Sequence, residues 1–273
     1  MSKNQKTAGG FSSLMASIAI AISLGIGVAI YVYVFGANEN FVGGNPENEA
    51  VEEGAAHYFG LIHKGGFIVP ILVAINIIII VFSIERLITL SLAKGKGSTD
   101  KFIAKIKGYL SSDKKEIETA IAECDKQKGS LANVVRAGLV KYDHISGDSS
   151  LDKEQKVESL KKELEEATAL ELPMLSKNLV VLSTCASIAT LIGLIGTVLG
   201  MIRSFAAMSQ GSPDTAALSA GISEALINTA LGITGSTIAI IMFNFFSTKI
   251  DTMTYSIDEA SFTIVQDYSA SNK

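Results

Sequence analysis

Tryptophan is absent from this chain of 273 residues, and histidine and cysteine are scarce, at three and two residues. His57, His63 and His144 are scattered over polar segments, so a metal centre or histidine-based catalysis has little to build on. Cys124 lies in a polar region and Cys185 in an apolar run, without metal-type spacing or any sign of a mutual disulfide. Walker-type loops and nucleophile elbows are missing as well. We therefore expect no enzyme activity, no cofactor and no metal site.

The balance of charge and hydrophobicity favours a membrane over nucleic acid. The formal net charge of -4 offers no basic face for binding nucleic acid. Hydrophobic residues make up 48% of the chain, and the mean hydropathy is positive. Lipid is therefore the expected solvent for much of the protein.

Four apolar stretches reach the roughly 20 residues needed to cross the hydrocarbon core of a bilayer. Lysines precede the first stretch, as in a signal peptide, but its apolar run is too long and ends in aromatic residues typical of a membrane interface. We therefore predict an all-α integral membrane protein with four transmembrane helices. The stretches are Phe11–Phe35, Gly66–Leu92, Leu179–Ile202 and Ile222–Phe246.

Charge predicts the orientation of these spans. The segment Gly36–Gly65 contains five glutamates and one lysine, whereas Ala93–Asn178 is rich in lysine. Under the positive-inside rule both termini and the lysine-rich region are cytoplasmic, and the acidic segment is external. Within that segment, Glu47–Glu53 fits a disordered external linker.

The predicted organisation combines these spans with helices that extend into the cytoplasm. Its segments are a cytoplasmic N-terminus (1–10), an extra N-terminal transmembrane helix (11–36), an acidic periplasmic segment (37–65), a transmembrane helix (66–92), a cytoplasmic helical region (93–178), a pore-lining transmembrane helix (179–206), a short periplasmic loop (207–221), a second pore-lining transmembrane helix (222–247) and a cytoplasmic C-terminal tail (248–273).

Helix signals recur through the cytoplasmic region. Asp113 and Glu116 fit a capping box ahead of one helix, and Ser130 fits the N-cap of the next. From Leu151 onward a further helix is predicted, with Pro173 removing a backbone donor and introducing a kink. Continued to Phe205, it would form a rod of about 80 Å. Its apolar stripe consists of Val157, Leu160, Leu164 and Ala167.

Small polar residues form a stripe along each of the last two spans. Residues three, four or seven positions apart share one helix face. Glycines lie on or beside both stripes, and such small-residue faces in membranes usually mark close helix packing. The stripe members are Ser183, Ser187, Thr190 and Thr197 with Gly193, Gly196 and Gly200 in the third span, and Thr229, Gly232 and Ser236 in the fourth.

Two threonines stand out by their depth in the membrane. Thr197 lies six residues inside Arg203, and Thr229 lies five residues inside Glu224. Because the chain crosses outward and then returns, both hydroxyls are expected at one level, about 8 Å below the outer ends of their helices. Arg203 and Glu224 either pair at the outer mouth or extend separately into the headgroups.

Glu85 and Arg86 end the second span. Neighbouring residues point apart on a helix, so we interpret this pair mainly as an anchor at the inner interface, with contact between Glu85 and a partner as an alternative.

Three stretches together carry a family resemblance. GGFIVPILVAINIIIIVFSIERLITL (65–90), GLIGTVLGMIRSF (193–205) and GISEALINTALGITGSTIAIIMFNFF (221–246) resemble the MotA/TolQ/ExbB proton-channel family, and within it ExbB and TolQ. The resemblance extends over roughly Gly65–Phe246. It departs from the family at Thr190 and Ile238, where prolines are common, so both helices should be straighter.

The resemblance implies an assembly in which this chain does not carry the ion itself. It implies a homopentamer around helices of an ExbD-like or TolR-like single-span protein, whose membrane aspartate titrates. Thr197 and Thr229 match the pore threonines, and Glu224 matches the glutamate of the EAL-x-x-T segment. Arg203 stands where relatives often have a neutral or acidic residue.

The function implied is that of an ExbB-like subunit of an inner-membrane motor driven by the proton motive force. With an ExbD-like protein and a TonB-like protein it would energise transport across the outer membrane. A TolQ-like subunit of the Tol-Pal system is an alternative, and so is a passive membrane scaffold. A secondary transporter would need broken helices and buried charges within one chain, which the sequence lacks.

Overall fold

The structure is a computed structural model that describes residues 3–110, 116–147, 150–208 and 215–271. Its regular elements are helical, and four of them are long and apolar enough to span a membrane, which confirms the predicted fold class. The helices are α1 (Lys3–Ile30), α2 (Gly54–Lys64), α3 (Val69–Ala93), α4 (Thr99–Leu110), α5 (Ile117–Gln127), α6 (Gly129–Ser146), α7 (Lys153–Ser176), α8 (Leu179–Met208) and α9 (Thr215–Ser271).

Internal contacts divide the chain into two units. The first contains the chain up to Ile84 together with Val180–Phe243, and therefore holds most of the apolar spans. The extra N-terminal helix packs closely on α3 in this unit. A Cβ atom on Gly27 would lie 2.8 Å from the Cβ atom of Ala74, so only glycine allows this approach.

The acidic segment between α1 and α3 is folded, and so is its part Glu47–Glu53, for which the sequence fitted a disordered linker. The amide of Asn40 donates to the carbonyl oxygens of Val34 and Phe35, at 2.6 and 3.0 Å, and so caps the π-helical turn that follows α1. The ammonium group of Lys64 donates to the carbonyl of Glu47 at 2.9 Å. These polar contacts give the segment partners that its composition alone did not reveal.

The second unit, formed by Glu85–Leu179 and the chain from Asn244 onward, is a helical bundle with its own hydrophobic core. The predicted apolar stripe on α7 is confirmed, because Leu160 and Leu164 are buried and Val157 and Ala167 pack against the same core. Helix α9 supplies Ile257, Ala260, Ile264 and Tyr268 at spacings of three and four residues. The segment predicted as a C-terminal tail is thus a core helix as far as Ser271.

Helix caps in this unit differ from the prediction. Asp113 lies outside the described residues. Ser130 is a buried residue inside α6, which begins at Gly129, so its predicted capping role is wrong. The capping box that does form joins Asp152 and Gln155 at the start of α7, where each side chain bonds the other residue's backbone N–H.

The predicted rod from Leu151 to Phe205 is two helices. Pro173 lies inside α7, and the helix continues past it to Ser176. The chain leaves the helical conformation at Asn178, whose φ of 61° is left-handed. Asparagine tolerates this conformation better than most residues, so it ends the helix where the proline does not.

Cys124 provides a first test of the second unit. Burial in the core raises the pKa of its thiol to about 12, so at pH 8 its reactive thiolate is on the order of a thousandfold rarer than for a free cysteine. We expect Cys124 to resist alkylation by iodoacetamide in the folded protein, as measured by mass spectrometry of its peptide. The exposed Ala122→Cys variant is the reference and should react at the rate of a free thiol. Equal rates at the two positions would contradict a closed core.

Candidate functional site

Helices α8 and α9 form an antiparallel pair that crosses at two glycines. A Cβ atom on Gly232 would lie 2.6 Å from the carbonyl oxygen of Ala189 and 3.0 Å from the Cα atom of Gly193. A Cβ atom on Gly200 would likewise lie 2.6 Å from the carbonyl oxygen of Gly221. The glycines predicted for packing are therefore packing residues, and they hold the two backbones close enough for short polar side chains to meet.

The two threonines predicted for the ion pathway contact each other between these glycines. The hydroxyl groups of Thr197 and Thr229 lie within hydrogen-bond distance. Each also lies close to a backbone carbonyl one turn earlier, Gly193 at 3.2 Å and Ala225 at 3.1 Å. Two hydroxyls have two protons for these three contacts, so one carbonyl contact is left without a proton whenever the hydroxyls bond each other. The pair can therefore reorient its protons and accept a bond from a further donor.

A buried amide beside this pair was not predicted from the sequence. Asn228 is fully buried, and its Nδ2 donates to the carbonyl of Gly65 at 2.9 Å. Its Oδ1 has no hydrogen-bond partner among the described residues. Gly196 leaves room for it, since a Cβ atom there would lie 2.5 Å from the Cβ atom of Asn228. The available signal was an amide in an apolar span, one helical turn after Glu224.

Arg203 and Glu224 form an ion pair between the same two helices, nearer the end of α8 and the start of α9. The Nη1 atom of Arg203 donates to both carboxylate oxygens of Glu224, at 2.8 and 2.6 Å. The guanidinium group also lies over the ring of Phe67, 5.8 Å from its centroid. The Glu224 side chain is 7% exposed and that of Arg203 is 53% exposed, so the carboxylate is the buried member of the pair. Of the two interpretations, pairing is the one that the structure shows.

This difference in burial predicts unequal effects of neutralising each charge. Arg203→Gln leaves a buried carboxylate unpaired and should destabilise the protein by about 2–3 kcal/mol, less than a fully buried pair because Arg203 is half exposed. Glu224→Gln leaves only a hydrated guanidinium unpaired and should reduce the stability of the protein less. Thermal unfolding in detergent should therefore rank the two variants in that order, with the double neutralisation more stable than Arg203→Gln alone. The reverse order would contradict the assigned burial.

Reversing the charges of both Arg203 and Glu224 should restore only part of the thermal stability that each single reversal removes. A Cβ atom on Gly66 would already lie 2.5 Å from Glu224 Oε1, so position 224 has little room for an arginine.

The remaining small polar residues line a cleft between α8 and α9 on the opposite side of the crossing from the ion pair. The cleft has a volume of about 280 Å³, and Ile240 and Phe243 form part of its lining. The hydroxyl of Thr190 points back to the carbonyl of Ala186 at 3.5 Å, the usual way in which a membrane helix satisfies a hydroxyl. The residues that line the cleft with hydroxyl groups are Ser183, Ser187, Thr190 and Ser236.

Glu85 and Arg86 do not point apart, and that prediction is wrong. Arg86 Nε and Nη2 donate to the two carboxylate oxygens of Glu85, at 2.7 and 2.6 Å. Arg86 is 1% exposed and also donates to the carbonyl of Leu175 at 3.3 Å. Thr89 donates to the Glu85 carboxylate at 3.0 Å. Burial explains the change, because an unpaired guanidinium is costly in an apolar setting and long side chains can turn towards each other.

These contacts define a polytopic all-α membrane protein whose polar groups lie at the interface of an antiparallel helix pair, with a hydroxyl pair inside the span and an ion pair nearer its end. Residues 126–259, which include both pairs, match the model of the MotA/TolQ/ExbB proton channel family. The family resemblance is therefore confirmed over this stretch of the chain. The match is shorter than the predicted extent and does not include α3.

Individual relatives carry names from two systems. The chain is 40% identical over 86 residues to a putative biopolymer transport protein, ExbB-like 3, of Synechocystis, covering 30% of this chain and 41% of the relative. It is 28% identical over 193 residues to the biopolymer transport protein ExbB of Pseudomonas putida, covering 69% and 58%. It is 30% identical over 120 residues to the Tol-Pal system protein TolQ of Pseudomonas aeruginosa, covering 44% and 52%. The matches thus span about half of each relative's length.

Proposed function

We propose that this chain is a channel subunit that guides ions carried by the carboxylic acid of a partner protein. The contact between the Thr197 and Thr229 hydroxyls is the observation that supports this function best. A hydroxyl pair can donate to a carboxylate and accept from a protonated carboxyl group, so it can serve both states of a titrating acid. The nearest carboxylate of this pair of spans, Glu224, is held by Arg203 and does not serve as the carrier.

The partner is proposed to be an ExbD-like single-span protein with a membrane aspartate. Protonation would neutralise that aspartate and let its helix move along the apolar wall, and deprotonation would attach it to the next threonine pair. A homopentamer would present five such pairs at one level. The result is rotation of the partner inside the ring, transmitted to a TonB-like protein.

The proposed location is the bacterial inner membrane, with both termini and the bundle of the second unit in the cytoplasm. The acidic segment 37–65 would then be periplasmic. This orientation places the Arg203–Glu224 pair at the periplasmic mouth and Glu85 with Arg86 at the cytoplasmic interface.

Proton flux in liposomes tests this function. In vesicles that contain this chain and its partner, an applied potential should acidify the interior, as reported by a trapped pH-sensitive dye. Vesicles that contain this chain alone should show no change in internal pH. Conduction by this chain alone would contradict a carrier on the partner. Silence of the full complex, with assembly verified by co-purification, would favour a passive scaffold.

A TolQ-like role in a Tol-Pal system is the second candidate, because the TolQ relative is about as similar as the ExbB relatives. Co-expression with a single-span partner from each system separates the two. The ExbB-like function predicts a stable complex with the ExbD-like partner and restored uptake through TonB-dependent transporters. A complex with the TolR-like partner only would support the Tol-Pal function.

A further inference from the structure

A pocket of about 170 Å³ lies in the second unit, where two membrane spans end. Lys94 is the first residue after the span Gly66–Ala93, and it lines the pocket. Lys249 lines it from α9, three residues after Phe246, where the fourth apolar stretch ends. The fold thus brings together two cations that are distant in sequence and that each follow the end of an apolar stretch.

The polar lining of the pocket suits an anion. Hydroxyl groups come from Thr99, Thr252 and Ser256, and those of Thr252 and Ser256 donate to backbone carbonyls of α9 and would turn towards a bound anion. Thr99 is also the first residue of the 12-residue helix α4, so the positive end of that helix dipole lies at the pocket. The residues that line the pocket belong to the described part of the chain, and none of them is acidic. Neither lysine forms an ion pair with a described carboxylate.

Part of the pocket lining is apolar. It is formed by Leu131, Met253 and Ile257. The volume of the pocket equals that of about five or six molecules of liquid water, at roughly 30 Å³ each. This space suits a phosphate group with part of a glycerol, and the apolar wall suits the start of an attached hydrocarbon chain. A free inorganic anion would make no use of that wall.

We propose that this pocket binds the phosphate headgroup of an anionic glycerophospholipid from the leaflet that contacts the second unit. Basic pockets at the ends of membrane helices are suited to such headgroups, because lysine charges are favourable there and the acyl chains stay in the bilayer. The ring of Phe245, 5.8 Å from Lys249 Nζ, covers the lysine from the side of the span. The bound lipid would tie α3, α4 and α9 together at the membrane surface.

Native mass spectrometry of the full chain tests this site. Protein purified in detergent is incubated with an equimolar mixture of phosphatidylglycerol and phosphatidylcholine, and the bound lipids are counted. We expect wild-type protein to retain phosphatidylglycerol preferentially. Lys94→Gln with Lys249→Gln should lower this preference at least tenfold, since each lysine near an anionic surface contributes roughly fivefold. Lys94→Arg with Lys249→Arg should keep it.

The matched control is Lys101→Gln with Lys107→Gln, which removes the same charge from exposed positions on α4 outside the pocket. It should retain the preference for phosphatidylglycerol. An equal loss in both double variants would overturn the proposal in favour of general surface charge, and retention in the pocket variant would overturn it as well. Excess inorganic phosphate should leave the bound lipid in place, and displacement would reassign the pocket to a free phosphate ion. The measurement uses no partner protein and is therefore independent of ion conduction.

Discussion

Replacing Thr197 and Thr229 together by valine should reduce proton flux through the complex with its partner to the level of protein-free liposomes. Valine keeps the branched shape of threonine but removes both hydroxyls that contact each other at the helix interface. A carboxyl group passing this level would then meet only apolar wall, where an ionised carboxylate is costly. The flux is measured with a trapped pH-sensitive dye under an applied potential.

The complex itself should survive this double substitution. Apart from their mutual contact, the two hydroxyls contact only backbone carbonyls of their own helices, so their loss removes no other contact between helices. Hydrogen bonds between membrane helices contribute well under about 1 kcal/mol on average. Co-purification of the partner in wild-type amounts verifies assembly. Each single variant keeps one hydroxyl and should retain part of the flux.

The matched control for the threonine pair is Thr237→Val. Its hydroxyl is exposed, donates to the carbonyl of Ile233 at 2.8 Å and lies two turns further along α9. It undergoes the same chemical change and should leave proton flux unchanged. Full proton flux in the Thr197→Val/Thr229→Val variant, with the complex assembled, would contradict a role for these threonines in the ion pathway.

Gly232→Ala should strongly destabilise the pair of helices α8 and α9. The new Cβ atom would lie 2.6 Å from the carbonyl oxygen of Ala189 and 3.0 Å from the Cα atom of Gly193, and backbone atoms cannot rotate out of the way. We expect a loss of about 1–3 kcal/mol, as for other overpacked interfaces, together with separation of the threonine hydroxyls one turn away. Thermal stability in detergent and proton flux should both fall.

Two further alanine variants make this expectation specific. Gly193→Ala meets its closest neighbour, the Asn228 carbonyl oxygen, at 3.0 Å and should show a smaller loss. Gly25→Ala, in the extra N-terminal span, has no atom within 4 Å of its new Cβ atom and should be neutral or slightly stabilising. If all three variants behaved alike, close contact between backbones would not be the reason for glycine at position 232.

Where local sequence patterns carry the information, the sequence predicted the structure. Apolar length identified the four spans, and the spacing of Leu160 and Leu164 identified the core face of α7. The three-and-four spacing also placed Thr197, Thr229 and the glycines on the faces that meet. These features follow from helix geometry alone, which is the same in every protein.

Contacts between distant residues were predicted less well. The buried position of Arg86 depends on α7, whose Leu175 carbonyl it reaches, and so the pairing with Glu85 was missed. Asn228 acquires its role from the carbonyl of Gly65, which is 163 residues away. The break at Asn178 was not predicted, because a proline such as Pro173 is visible in a sequence whereas a left-handed asparagine is not.

The sequence by itself determined that the protein is helical and membrane-embedded, and which family its central and C-terminal stretch resembles. Hydrophobic length and helical period are properties of short segments, so they can be read without knowing any neighbour. Only the tertiary structure decided which polar groups are paired, which carboxylate is buried and where two lysines share a pocket. Those outcomes depend on distance and desolvation between segments remote in sequence, and neither quantity exists until the helices have packed.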